Sequence, residues 1–287
     1  MKRIITLSIC TIISAFLHGQ LPVFSEHAIT PSSINPALTA YHSDALIHAH
    51  YYNTFSGAID NATTANIIGE YSFDKNKAGI QLMHDNFGVD IQNIVSLNYA
   101  RHFKVANGTI SGGVSFTGKN IARELSKTHP ASSGDPTLQA DISKTLFNIG
   151  AGVAYITNDA FIAIGTPSFM QENIAEHDNN TDASSEIPLF INGAYRIPLN
   201  DTWNITPAVF TALENGQPLI LDLQAAITWH EHLKATIGYG NDHSWLAGIH
   251  ARFNDRYTLG YIYDMHLPLG VASHEVMLGF DLNSSIF

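Results

Sequence analysis

The chain has 287 residues, of which 14% are charged and 45% are hydrophobic by a broad count, and its formal net charge is −11. An average soluble domain carries roughly 25% charge, and a surface that grips phosphates is basic, so this balance argues against a nucleic-acid partner. No internal stretch approaches the ~20 continuous apolar residues of a membrane helix.

The N-terminus reads as a targeting segment. Lys2 and Arg3 precede an apolar run from Ile4 to Leu17, and small or polar residues follow. That order is a secretory signal peptide, here residues 1–19 with cleavage before Gln20; the run is short for a retained anchor. The single cysteine, Cys10, lies inside the run. A mature chain then has no disulfide framework and no thiol chemistry.

Residues 20–43 (QLPVFSEHAITPSSINPALTAYHS) hold three prolines and no sustained period. They form an irregular N-terminal segment, a candidate plug or periplasmic contact. From residue 44 to 287 strand follows strand. The spacing predicts about fourteen, over 44–53, 61–73, 77–84, 91–103, 108–118, 147–156, 159–167, 187–197, 201–213, 220–230, 233–240, 243–253, 255–265 and 273–283. The best helical candidate, Ala122 to Lys127, is short.

Residues 97–118 show the pattern well. Leu97, Tyr99 and Phe103 share one phase, and after the Asn107-Gly108 turn Ile110, Val114 and Phe116 continue it. Trp245, Ile249 and Phe253 oppose Leu246, Gly248 and His250 in the same manner, and Val276, Leu278 and Phe280 oppose Glu275, Met277 and Gly279. Tight turns alternate with longer connections at 54–60, 85–90, 119–146, 168–186, 214–219 and 266–272; only Asn241-Asp242 is short where a long loop is due. Alternating apolar strands with long loops at one end describe an outer-membrane barrel. Closure satisfies every backbone group, and lipid covers the apolar phase. The expected fold is therefore all-β: a transmembrane up-and-down antiparallel β-barrel of about 14 strands. Aromatic residues near strand ends would form interfacial girdles. A soluble secreted β-sandwich or lectin-like module is the competing reading.

The order of short motifs resembles the PorP/SprF family. The opening matches in Gln20, Phe24, Ser25, Asn35, Pro36 and Ala37. A mid-chain stretch, Phe147-Asn148-Ile149-Gly150-Ala151-Gly152, and a closing strand that begins Ser273, His274, Glu275 are also similar. Ala28-Ile29-Thr30 stands where an aromatic-rich stretch is usual. The resemblance implies an integral outer-membrane protein of Bacteroidota tied to type IX secretion and gliding motility. It implies three kinds of partner: outer-membrane lipid, a secreted adhesin-like substrate held through its C-terminal domain, and periplasmic secretion components. An outer-membrane pore or hydrophobic-ligand channel is the alternative.

No catalytic constellation and no cofactor motif stand out, so a non-enzymatic role is expected. His48 and His50 share a lumen-facing phase at the spacing of a strand zinc pair; a polar lumen wall is the expected reading. His230-Glu231-His232 reads as a solvated turn, and His250 as lumen-facing. The acidic loop within 168–186 is a weak calcium candidate. Gly238, Gly260 and Gly279 in the lumen phase leave room for a plug or a solute. The loop 119–146 and the segment 20–43 are the expected partner contacts.

Overall fold

The computed structural model describes residues 25–282 apart from 56–61, 126–140, 171, 174–183, 186 and 268–269. The predicted signal peptide, Phe24 and the final residues lie outside the described residues, as do most of loops 119–146 and 168–186.

Fourteen antiparallel strands close into one barrel. The first seven are β1 (Ala45–Phe55), β2 (Ala62–Phe73), β3 (Asn76–Phe87), β4 (Asp90–Val105), β5 (Gly108–Arg123), β6 (Ile142–Ile156) and β7 (Ala160–Thr166). A two-residue ladder, β8 (Glu172–Asn173) with β9 (Ser184–Ser185), follows within the connection to β10 (Leu189–Tyr195) and its short continuation β11 (Ile197–Pro198). The ring is completed by β12 (Trp203–Leu213), β13 (Ile220–Trp229), β14 (Leu233–Gly240), β15 (Ser244–Phe253), β16 (Tyr257–His266) and β17 (Val271–Asp281). Each strand pairs with its sequence neighbours; β1 pairs with β17, and β10 with β12 bridges the remaining gap. No edge is left open by this order, as hydrocarbon requires.

The predicted phases are observed. Trp245, Ile249 and Phe253 are exposed on the outer wall, while Leu246 and His250 are buried within. Leu97, Phe103, Val114 and Phe116 likewise face outward. Trp203 with Trp229, Tyr71 with Phe73, and Tyr257 with Phe280 pair at the short-turn end; Tyr239 and Trp245 pair at the other. These aromatics flank the apolar belt as girdles. In the tight turns, His230-Glu231 and Asn254-Asp255 hold consecutive residues in the left-handed region (φ 49° and 57°; 50° and 54°). Such turns match the right-handed twist of the strands they join.

Several expected boundaries differ. The connection predicted at 85–90 is the turn Gly88-Val89, because β3 and β4 run on to Phe87 and from Asp90. Residues 119–123 and 142–146 are paired strand, so the loop expected over 119–146 spans only 124–141. Ala122, part of the helical candidate, is therefore in β5; no α-helix occurs among the described residues. Polar residues extend these strands past the apolar belt, and loss of hydrophobic alternation there hid them from pattern reading. Asp44 precedes the barrel, with its carboxylate 3.4 Å from Lys77 Nζ.

Candidate functional site: a segment across the lumen

Residues 25–44 enter β1 from the short-turn end, where the Leu282 amide donates to the Ala45 carbonyl (2.8 Å). Proline at the first position of two 3-10 turns, Pro31–Ser33 and Pro36–Leu38, presets their φ. Asn35 caps the second turn by accepting from the Ala37 amide at 2.9 Å. The segment has few long apolar side chains, yet most of it is buried. Leu38 and Ala37 pack with Ala154, Phe161 and Ala163 of β6 and β7, and Ile34 packs with Phe190 and Phe210 of β10 and β12. Burying Leu38 alone contributes about 2 kcal/mol.

The Asn35-Pro36-Ala37 turn lies directly on glycines. A Cβ at Gly113 would overlap the Pro36–Ala37 backbone; one at Gly152 would overlap the Asn35 amide, and one at Gly165 would come within 2.8 Å of Asn35 Nδ2. Ser111 Oγ donates to the Ala37 carbonyl at 2.6 Å. Further along, Thr39 lies over Gly79 of β3. Backbone approach this close is a reason for glycine in a strand interior.

The other end of the segment meets charge. Glu26 accepts from Lys234 Nζ (2.5 Å) and Thr236 Oγ1 (2.7 Å), and its second oxygen lies 3.4 Å from His250 Nε2. The Ser25 amide donates to Glu275 Oε2 (3.2 Å), Gln224 Nε2 donates to the Ser25 carbonyl (2.6 Å), and Glu275 Oε1 pairs with His50 Nδ1 (2.8 Å). His27 stands 3.9 Å from Asp222 and against the Phe210 ring. Burial pushes the Glu26 carboxyl up, but the charges of Lys234 and His250 and the bonds from Lys234 and Thr236 together hold it below its ordinary value. Burial holds His27 down at about 4, against the pull of Glu26 and with the repulsion of Lys234. A segment touching β3, β5, β7, β12, β14 and β17 crosses the interior of the ring.

The structure thus brings together motifs far apart in sequence. Asn35 meets Gly152 of the mid-chain stretch, and Ser25 meets Glu275. Ser273 faces inward and accepts from Tyr52 OH (2.8 Å), whereas His274 is on the outer wall beside Tyr261 OH (2.7 Å). His48 and His50 face the lumen with ring centroids 6.1 Å apart. Among the described residues no group of three or more His, Cys, Asp or Glu is arranged to hold a metal ion. His230, Glu231 and His232 are exposed in their turn. The room at Gly260 and Gly279 is taken by the His250 and His48 rings of neighbouring strands, and that at Gly238 by Gln224 and Leu246. Lys234 and Gly113 were not singled out from sequence. An inward-phase lysine and inward-phase glycines on adjacent strands were the available signals.

A family model described as the type IX secretion system membrane protein PorP/SprF matches residues 17–280. The chain belongs to the PorP/SprF family. Membership places this outer-membrane barrel in type IX secretion, with the secretion machinery and the membrane as its associates. In fold the PorP/SprF chain is similar to the outer membrane protein Omp33 of Acinetobacter baumannii, at 7% identity and TM-score 0.53, over 83% of this chain and 98% of that one. It is also similar to the monoaromatic hydrocarbon channel CymD, at 8% identity and TM-score 0.52, over 92% and 93%. The deltaS2 mutant of the monoaromatic hydrocarbon channel TodX gives 8% identity and TM-score 0.51, over 85% and 91%. At such identities the likeness is one of fold. No curated protein is significantly similar in sequence.

Proposed function

We propose that this PorP/SprF barrel is a non-enzymatic assembly factor of type IX secretion that holds a particular secreted protein at the cell surface. The observation that carries this reading is segment 25–44, which lies across the lumen against β3, β5, β7, β12, β14 and β17. An adhesin-like substrate engaged through its C-terminal domain, periplasmic secretion components as further partners, and a contribution to gliding motility follow from the family resemblance. The connection between β5 and β6 is the proposed contact, since lipid-facing strands have little freedom to vary while loops do. Deleting the gene in the native host tests this. The reading expects the substrate to move from the cell surface to the medium or the periplasm, and unchanged surface display overturns it.

A second reading is a channel for small hydrophobic molecules, favoured by the likeness of the barrel to CymD. Conductance in planar bilayers and binding of a monoaromatic hydrocarbon to the purified barrel separate the two.

A further inference from the structure

Segment 25–44 is attached to the inner wall in two unlike ways. Residues 31–41 are held mainly by shape, with Ser111 Oγ on the Ala37 carbonyl (2.6 Å) and the Glu70 carboxyl of β2 bonded to Ser32 and Ala40 as polar supplements. Their two 3-10 turns sit on Gly79, Gly113, Gly152 and Gly165, and Ile34, Leu38 and Tyr41 join apolar clusters with β6, β7, β10 and β12. Residues 25–27 are held by polar and charged groups. Glu26 faces Lys234 and Thr236 of β14 and His250 of β15; Ser25 faces Gln224 of β13 and Glu275 of β17; His27 faces Asp222 of β13 and Phe210 of β12. Between the two parts, Thr30 leaves helical geometry (φ −124°, ψ 62°). Across the break, His42 Nε2 donates to the Ala28 carbonyl (2.9 Å), and the Ser33 amide (3.1 Å) and hydroxyl (2.7 Å) both donate to the Thr30 carbonyl.

The two attachments respond differently to a single change. Packing against glycine is distributed over many atom contacts and survives loss of any one of them. A buried carboxylate bonded to a lysine depends on that lysine, because removing one partner leaves the other charged and desolvated. We propose that segment 25–44 is a hinged strap: residues 25–30 lift from β12–β17 when the Glu26–Lys234 contact is broken, while residues 31–44 stay seated on β3 and β5–β7. Lifting opens the β12–β17 side of the lumen without dismantling the barrel, an autoinhibitory contact independent of which protein is secreted.

Amide hydrogen exchange on the full mature protein in nanodiscs reads the two parts separately. Ile29, bonded to Glu26, reports the first; Leu38, Thr39 and Tyr41, bonded within the second turn, report the other. In Glu26→Gln the amides of residues 26–30 are expected to exchange at least about tenfold faster, with residues 34–41 at the wild-type rate. Lys234→Met leaves the strap sequence intact and is expected to give the same pattern, so a poorly folding Glu26 variant does not stall the test. Heat-modifiable gel migration confirms the closed barrel in each variant. Wild-type exchange at residues 26–30 in both variants, or equal acceleration across 26–41, overturns the hinge. The readout uses purified protein, so its failure is distinct from failure of the secretion role.

Discussion

Asn35 and Gly152 share one space. The Asn35 side chain lies where a Cβ on residue 152 would be, so a residue of the N-terminal segment and a residue of β6 are each shaped by the other. Gly152→Ala is expected to destabilise the protein by about 1–3 kcal/mol through overpacking. Gly112, one residue from the seat but with nothing within 4 Å of its Cβ position, is the control. Denaturant midpoints in detergent compare the two: Gly112→Ala should stay near wild type and Gly152→Ala should fall.

The outer wall depends on lipid. Ile237 of β14 is 68% exposed, the most of any large apolar residue described. Ile237→Arg is expected to cost about 2–4 kcal/mol if the position lies at the bilayer midplane. Folding yield into phospholipid vesicles checks this, against an Ile237→Val variant that should fold normally.

Acid weakens docking of the strap. An unfolded histidine titrates near its ordinary value of 6.5, whereas buried His27 is held at about 4. Above pH 6.5 both states are neutral and nothing changes. As pH falls from 6.5 toward 4 the undocked state binds a proton that the docked state refuses. Docking is therefore lost progressively across that window, by up to about 3 kcal/mol. Glu26, held below its ordinary 4.5, adds a loss in the same direction at still lower pH. Exchange of the Ile29 amide, corrected for its intrinsic pH dependence, should accelerate through this range, and His27→Gln should reduce the acceleration above pH 4.5, the remainder belonging to His42, which is also held at about 4 by burial.

Partner capture is expected to reside outside the barrel wall. Deleting residues 126–140 lies within the 124–141 connection and spares the paired residues Ile121–Arg123 and Ile142–Lys144. The variant should migrate as a folded barrel and lose co-purification of the secreted partner. Retained capture would move the contact elsewhere.

Much of this fold was legible because period-two alternation survives wherever one face meets lipid. Trp245, Ile249 and Phe253 stand on the outer face in the phase that alternation alone assigned them. Legibility fails where the wall leaves the membrane. Asn120, Ser143 and Thr145 continue β5 and β6 on polar residues whose outer face needs no apolar cover, so the strands read as loop. The seat of the segment was half legible. Asn35-Pro36-Ala37 and Gly150-Ala151-Gly152 were both visible as motifs, but no periodicity says that one lies on the other. Likewise Glu26 and Lys234 are 208 residues apart in sequence, and only closure of the ring brings them within 2.5 Å.

The most direct test of the whole account is capture of the protein from the outer-membrane fraction of its native host in mild detergent. The account predicts recovery in that fraction together with periplasmic secretion components and a secreted protein bearing a C-terminal sorting domain. Recovery from the membrane alone would contradict the assembly role and favour a channel, and recovery in the soluble fraction would contradict the barrel.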